Sequence, residues 1–170
     1  MDRKAITEIF DYDEWAWDQV LDRVAAMGDE LLTKPAPGSG WPALSNCLSH
    51  MIVGYQVWLE TIDGKPRVQG DAMAAVESWS ELAALAKRVR ERFRGKLTAL
   101  NDEELHSDIE VMVYGERLKY TPVELLGNLV LHERGHHGDV NTLLYQLDLP
   151  ELGVPDYRWL VNEKRGYPGL

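Results

Sequence analysis

His132 and His136 stand four residues apart in the run His132, Glu133, Arg134, Gly135, His136, His137, Gly138, Asp139. On a helix a step of four returns to within about 40° of the starting direction, so both imidazoles leave the same face one turn apart. Two stacked imidazoles make half of a metal site. The alternative is a pair of core histidines satisfied by ordinary hydrogen bonds. Each buried neutral imidazole needs partners for both nitrogens, and an unpaired polar group costs about 1–3 kcal/mol, so a shared cation accounts better for two of them in one apolar stripe. His137 is turned about 100° from His136 and reads as a residue at the rim of such a site or supporting it from behind.

A catalytic metal commonly takes three protein ligands and leaves a position open. The five histidines of the chain are His50, His106, His132, His136 and His137. His50 borders the apolar stripe of an earlier helix, which makes it the best third ligand. Cys47, three residues before His50, shares its face and is a conceivable fourth ligand or reactive thiol, although a small buried residue is the plainer reading. Glu133, Asp139 and Asp13 are the carboxylates that could serve as base or orient a ligand. With Glu133, the pair also satisfies HExxH, in which the glutamate would activate a metal-bound water for hydrolysis.

The elements that must carry these residues are mostly helical. Ile6, Ile9, Phe10, Trp17, Val20, Leu21 and Val24 trace a helix from about Asp2 to Leu32, with Asp13 on its apolar stripe. The turn formers between Lys34 and Pro42 make a loop. Leu44, Leu48, Met51, Tyr55, Trp58 and Ile62 then define a second helix over Ala43 to Ile62 that carries His50. An irregular crossover follows to about Glu77. A third helix, opened by Ser78 and Glu81, runs to about Leu100 with Lys87, Arg88, Arg90, Glu91, Arg92 and Arg94 mostly outward. After the acidic turn Asp102 to Glu104, alternation through Ile109, Val111 and Val113, a turn at Gly115, and Leu118 with Tyr120 predict a short β-hairpin. Thr121, Pro122 and Glu124 open the histidine-bearing fourth helix, whose inward stripe is Leu125, Leu129, Val140, Leu143 and Leu147 with His132 and His136 filling its gap. Pro150 and Pro155 close it, and Asp156 to Lys164 form a short last helix held by Tyr157, Trp159 and Leu160. The fold class is all-α, a four-helix bundle with a short hairpin before its last long helix, in one domain over residues 1–170.

At 170 residues the chain can bury a sizeable core without staples. Its 18 Lys and Arg stand against 28 Asp and Glu, a formal net charge of −10 that repels a phosphate backbone and argues against a nucleic-acid partner. The single cysteine, the absence of an apolar leader after Met1 and the absence of any run long enough to span a membrane point to a cytoplasmic protein. Six Trp and seven Tyr supply large side chains for an interface as well as a core.

The chain resembles the DinB/YfiT-like family of metalloenzymes over nearly its whole length. The resemblance rests on Tyr12 to Trp15, on Trp41 to Glu60 with His50 upstream of Trp58, and on Gly115 to Tyr145 with Asn128, His132, His136 and Gly138. It implies a four-helix bundle in which His50, His132 and His136 bind a divalent cation, zinc or nickel. In the family Arg, Gly and Gln commonly follow the second histidine of HxxxH, where this chain has His137, Gly138 and Asp139. It implies further a homodimer and, from the family's characterised branches, transfer or isomerisation chemistry on a low-molecular-weight thiol such as bacillithiol or mycothiol. Two other functions fit the same residues: a metal-dependent hydrolase of a small molecule, and a metal-binding stress or interaction protein without turnover.

Overall fold

A computed structural model describes residues 1–38, 40–65, 76–150 and 156–166 of the chain. The first helix, α1 (Arg3–Ala25), begins where the Asp2 carboxylate accepts the Ala5 backbone N–H at 2.7 Å, the role a short acidic side chain plays at an N-cap. It stops well before Leu32, because Gly28 takes φ +94° and a left-handed residue cannot continue the helical ladder. A separate turn of helix, α2 (Glu30–Thr33), buries Leu31 and Leu32.

The loop to Pro42 delivers the chain to α3 (Leu44–Ile62), the carrier of His50. Of the crossover that follows, residues 66–75 lie outside the described residues. Helix α4 (Trp79–Ala99) starts at Ser78, whose hydroxyl accepts the Glu81 N–H. Asp102 to Glu104 do not form a plain turn. They open α5 (Asp102–His106), which starts with a reciprocal capping box between Asn101 and Glu104.

Strands β1 (Ile109–Val113) and β2 (Glu116–Tyr120) pair antiparallel in the register Val111 opposite Leu118. The turn between them holds Tyr114 at φ 52° and Gly115 at φ 86°, the positive-φ pair that a tight hairpin requires. An isolated hairpin is marginal, and this one is anchored: Val111 and Val113 pack with Leu125, Trp58 and Ile62 in a small cluster of their own.

Helix α6 (Pro122–Gln146) begins with a capping box: Glu124 donates its backbone N–H to Thr121 Oγ1, and the Glu124 carboxylate accepts the Thr121 N–H at 2.8 Å. It ends four residues before Pro150, where Leu147 caps it and Asp148 turns to φ 57°; Pro155 is outside the described residues. The short α7 (Tyr157–Arg165) lies against α1. Its anchors are the buried Leu160 and the edge contact of Tyr157 with Tyr12, whereas Trp159 is exposed.

Four long helices make the bundle. α3 packs between α6 and α4, and α1 closes the ring against both. The core is supplied by all four, for example Phe10 and Trp17 from α1, Leu48 and Met51 from α3, Leu82 and Phe93 from α4, and Leu126 and Leu129 from α6. Phe10 and Phe93 stack at 3.9 Å, a pairing worth about 0.5–1.5 kcal/mol beyond its buried area. No helix among the described residues is long and apolar enough to cross a membrane.

Candidate metal centre

His50 of α3 and His132 and His136 of α6 converge. His132 Nε2 lies 3.1 Å from His50 Nε2 and 3.1 Å from His136 Nε2, and all three imidazoles are half-buried at the seam between the two helices. Ligands held at 2.0–2.1 Å from one cation at angles of 90–110° would stand about 2.9–3.4 Å apart, so the observed spacing fits a shared ion. The chemistry of the donors agrees. Asp139 Oδ2 accepts the His136 Nδ1–H at 2.7 Å, and a carboxylate only accepts, so His136 presents a lone pair at Nε2. One proton on His132 Nε2 would have to fork between two acceptors, whereas a cation takes all three lone pairs at once.

The surroundings hold this arrangement in place. Gly54, one turn beyond His50, faces His132 so closely that a Cβ there would stand 3.4 Å from His132 Cε1. A glycine in a helix interior costs about 1 kcal/mol relative to alanine, and a Cβ here would come into ordinary van der Waals contact with the His132 ring. Trp41, from the loop before α3, lies 5.1 Å from the His50 ring and 5.5 Å from the His136 ring, and its Nε1–H donates to Asp139 Oδ2 at 3.1 Å.

The sequence matches the DinB family model over residues 1–164. The chain belongs to the DinB family. Its fold is that of a solved DinB-like protein from Bacillus cereus ATCC 10987, with a TM-score of 0.66 at 18% identity over 90% of this chain and 95% of that one. A search of curated proteins finds no match.

Within this DinB bundle the other candidate residues divide. Asp139 joins the cluster, as the acceptor for His136. Asp13 and Glu133 do not. Asp13 is buried, with one oxygen accepting from Tyr55 OH at 2.8 Å and the other from Arg134 Nε at 2.7 Å, so it orients no cluster histidine. Glu133 is buried beside Asp13 and Tyr55; burial, with the Asp13 charge next, holds its carboxyl well above the usual range. A carboxyl enclosed in that interior cluster is not placed to act as a base for water at the histidines. His137 is likewise no rim residue: only 2% exposed, it packs against Trp17 and meets the Arg134 guanidinium, and burial takes its pKa down to about 3.

The rotation of α6 explains these corrections. Leu125, counted in the inward stripe, faces the hairpin cluster, while Leu126, Leu129, Val130, Val140 and Leu144 face the main core. The centre of the buried face therefore passes through Glu133 and His137, and His132 and His136 flank it on the side of α3. Arg90, expected outward, is also mostly turned in: it pairs with Asp18 at 2.8 Å, and its other terminal nitrogen is buried without a hydrogen-bond partner among the described residues.

Cys47 is fully buried, and Cys47, His136 and Asp139 each bring a ligand atom within 4.8 Å of the others. Burial, helped by the Asp139 charge, pushes the thiol up to about 12, so it stays protonated and acts as a small core residue. His106 lies elsewhere, bonded through its two nitrogens to the backbone oxygens of Asp102 and Met1 at 2.8 Å each.

Proposed function

We propose that this DinB protein is a divalent-metal-dependent enzyme of S-transfer that activates a low-molecular-weight thiol. The thiol's sulfur, still joined to its own carbon, bonds to a small electrophile and displaces that electrophile's leaving group, with the thiol proton released to solvent. The observation that carries the reading is the meeting of three imidazole Nε2 atoms on one point, with no fourth ligand added to that trio among the described residues. Structural zinc is usually closed by four protein ligands; a trio leaves room for a substrate atom. A zinc or nickel ion held there would lower the pKa of a bound thiol and favour the nucleophilic thiolate. His50, His132 and His136 would hold the ion, and Asp139 keeps the proton of His136 on Nδ1. The half-buried position of the trio lets a small thiol such as bacillithiol or mycothiol reach it while the bundle shields its inner side.

The hydrolase reading loses its base, because the Glu133 carboxyl is enclosed in the bundle beside Asp13 and Tyr55. The two readings separate in one assay. Metal-loaded protein is offered a chromogenic electrophile with and without thiol: thiol-dependent conjugation supports the proposal, and turnover that ignores the thiol, or its absence in a metal-loaded chain, overturns it.

The proposal includes a homodimer. On the outward face of α6, Leu131 and Tyr145 are each 69% exposed, and the exposed positions between them, Gly135, Gly138 and Thr142, carry no charge. A second copy of an otherwise acidic chain meets no like charge there. Sedimentation equilibrium of wild type and Leu131→Glu tests it: a dimer that the variant converts to monomer supports this face, and a monomeric wild type removes it.

A further inference from the structure

We infer that Trp41 is a positioning residue for the metal centre, acting on His136 through Asp139. The inference rests on the reading of His50, His132 and His136 as a cation site. Two N–H groups end on the same atom: Asp139 Oδ2 accepts from His136 Nδ1 at 2.7 Å and from Trp41 Nε1 at 3.1 Å. Asp139 needs the second donor. Its side chain is 42% exposed, and a carboxylate so open to water would turn among its rotamers and exchange His136 for solvent unless something else fixed it. Trp41 fixes it from another element. The indole packs against the rings of both His50 and His136, in edge contact with His136, so its movement disturbs both helices' contributions to the trio.

The segment that carries Trp41 is itself tied down. Pro35 and Ala43 form a β-bridge across its base, the Ala36 N–H donates to the Pro42 carbonyl oxygen at 3.1 Å, and Gly38, at φ +91°, comes close to the Gln146 side chain near the end of α6. That attachment holds the Trp41 side of the segment against the start of α3. Its effect is to set the His136 ring before a cation arrives, so that binding does not have to pay for ordering it.

Cobalt(II) supplies a readout independent of turnover, since its visible bands report ligand geometry. Affinity and spectrum are measured for wild type, Trp41→Phe, Asp139→Ala and the double variant, with thermal melting of the metal-free chains as a check on folding. Trp41→Phe removes the N–H together with part of the indole surface; lost packing is felt whether or not Asp139 is present, whereas the lost N–H is felt only through Asp139. The expected result is a loss of about 10-fold or more in affinity for Trp41→Phe, in the range usual for residues that orient metal ligands, with shifted cobalt bands. In the Asp139→Ala background the same change should cost clearly less, because the path from the Trp41 N–H to His136 is already cut and only ring packing remains. An unchanged affinity in Trp41→Phe overturns the inference, as does an equal loss in both backgrounds. A wild-type chain that binds no cobalt defeats the cation site itself, a different result from a cobalt-binding chain indifferent to Trp41.

Discussion

Asp13 of α1 and Tyr55 of α3 are hydrogen-bonded inside the bundle, Tyr55 OH donating to Asp13 Oδ2 at 2.8 Å, and Glu133 of α6 is buried beside them. Arg134 of α6 and the Arg90 charge of α4 complete the group, so each of the four long helices contributes a polar side chain to it. Such a cluster adds little net stability over apolar packing but penalises any arrangement that leaves a member unpaired.

The first prediction concerns Glu133. Its folded pKa is raised well above its ordinary value of 4.5, so its contribution to stability is present below that value and is lost as pH rises through the folded pKa. Glu133→Gln removes the titration. In metal-free protein the stability of the variant relative to wild type should improve as pH rises above 4.5, in urea denaturation followed across pH 4 to 9; parallel curves would contradict the assignment.

His137 gives the opposite sign. With its pKa lowered from 6.5 to about 3 by burial and by the charges of Arg134 and Arg90, the stability it contributes is present above 6.5 and is lost as pH falls toward 3. The slope from this one group approaches about 1.4 kcal/mol per pH unit within that window. His137→Phe should flatten the acid limb of the metal-free protein's stability profile, and an acid limb of unchanged slope would place the sensitivity elsewhere.

Asp13→Ala strands the Arg134 guanidinium. Breaking a buried pair from one side costs about 3–5 kcal/mol, so the variant should be far less stable than a surface substitution such as Asp102→Ala. Chemical denaturation decides it, and a loss under about 1 kcal/mol would mean that water reaches Arg134 readily.

Gly54→Ala separates stability from metal binding. Alanine favours the helix by about 1 kcal/mol, and the added methyl would stand 3.4 Å from His132 Cε1, an ordinary van der Waals contact that leaves the ring in place. The expected variant melts higher without metal and binds zinc as wild type does by calorimetry. A several-fold loss of affinity would show that the methyl moves the His132 ring.

The bundle was legible because its signals are local. Thr121, Pro122 and Glu124 specify a helix start by hydrogen bonding within four residues, and the turn at Gly115 declares the hairpin. The histidine trio was legible too, since the spacing of His132 and His136 fixes their common face and few other histidines were left to join them. The phase of α6 was not. Leu125 belongs to a second, smaller cluster, and counting it with the main stripe turned the inferred centre toward His132 and His136 and away from Glu133 and His137. Nothing in an apolar pattern announces that a glutamate and a histidine lie at the middle of a core, because their partners Asp13, Tyr55 and Arg134 come from distant positions. Gly54 left a trace, a glycine inside an apolar helix; Trp41 left none beyond being an aromatic residue in a loop.

The central claim is that His50, His132 and His136 jointly hold one divalent cation. Its most direct test is metal content and zinc or nickel titration of protein purified without added metal, for wild type, His50→Ala, His132→Ala, His136→Ala and the control His106→Ala. The expected result is one ion per chain in wild type and in the His106 variant, with binding weakened at least 100-fold in each of the other three. A wild-type chain that takes up no ion, or three variants that bind as wild type does, would contradict it.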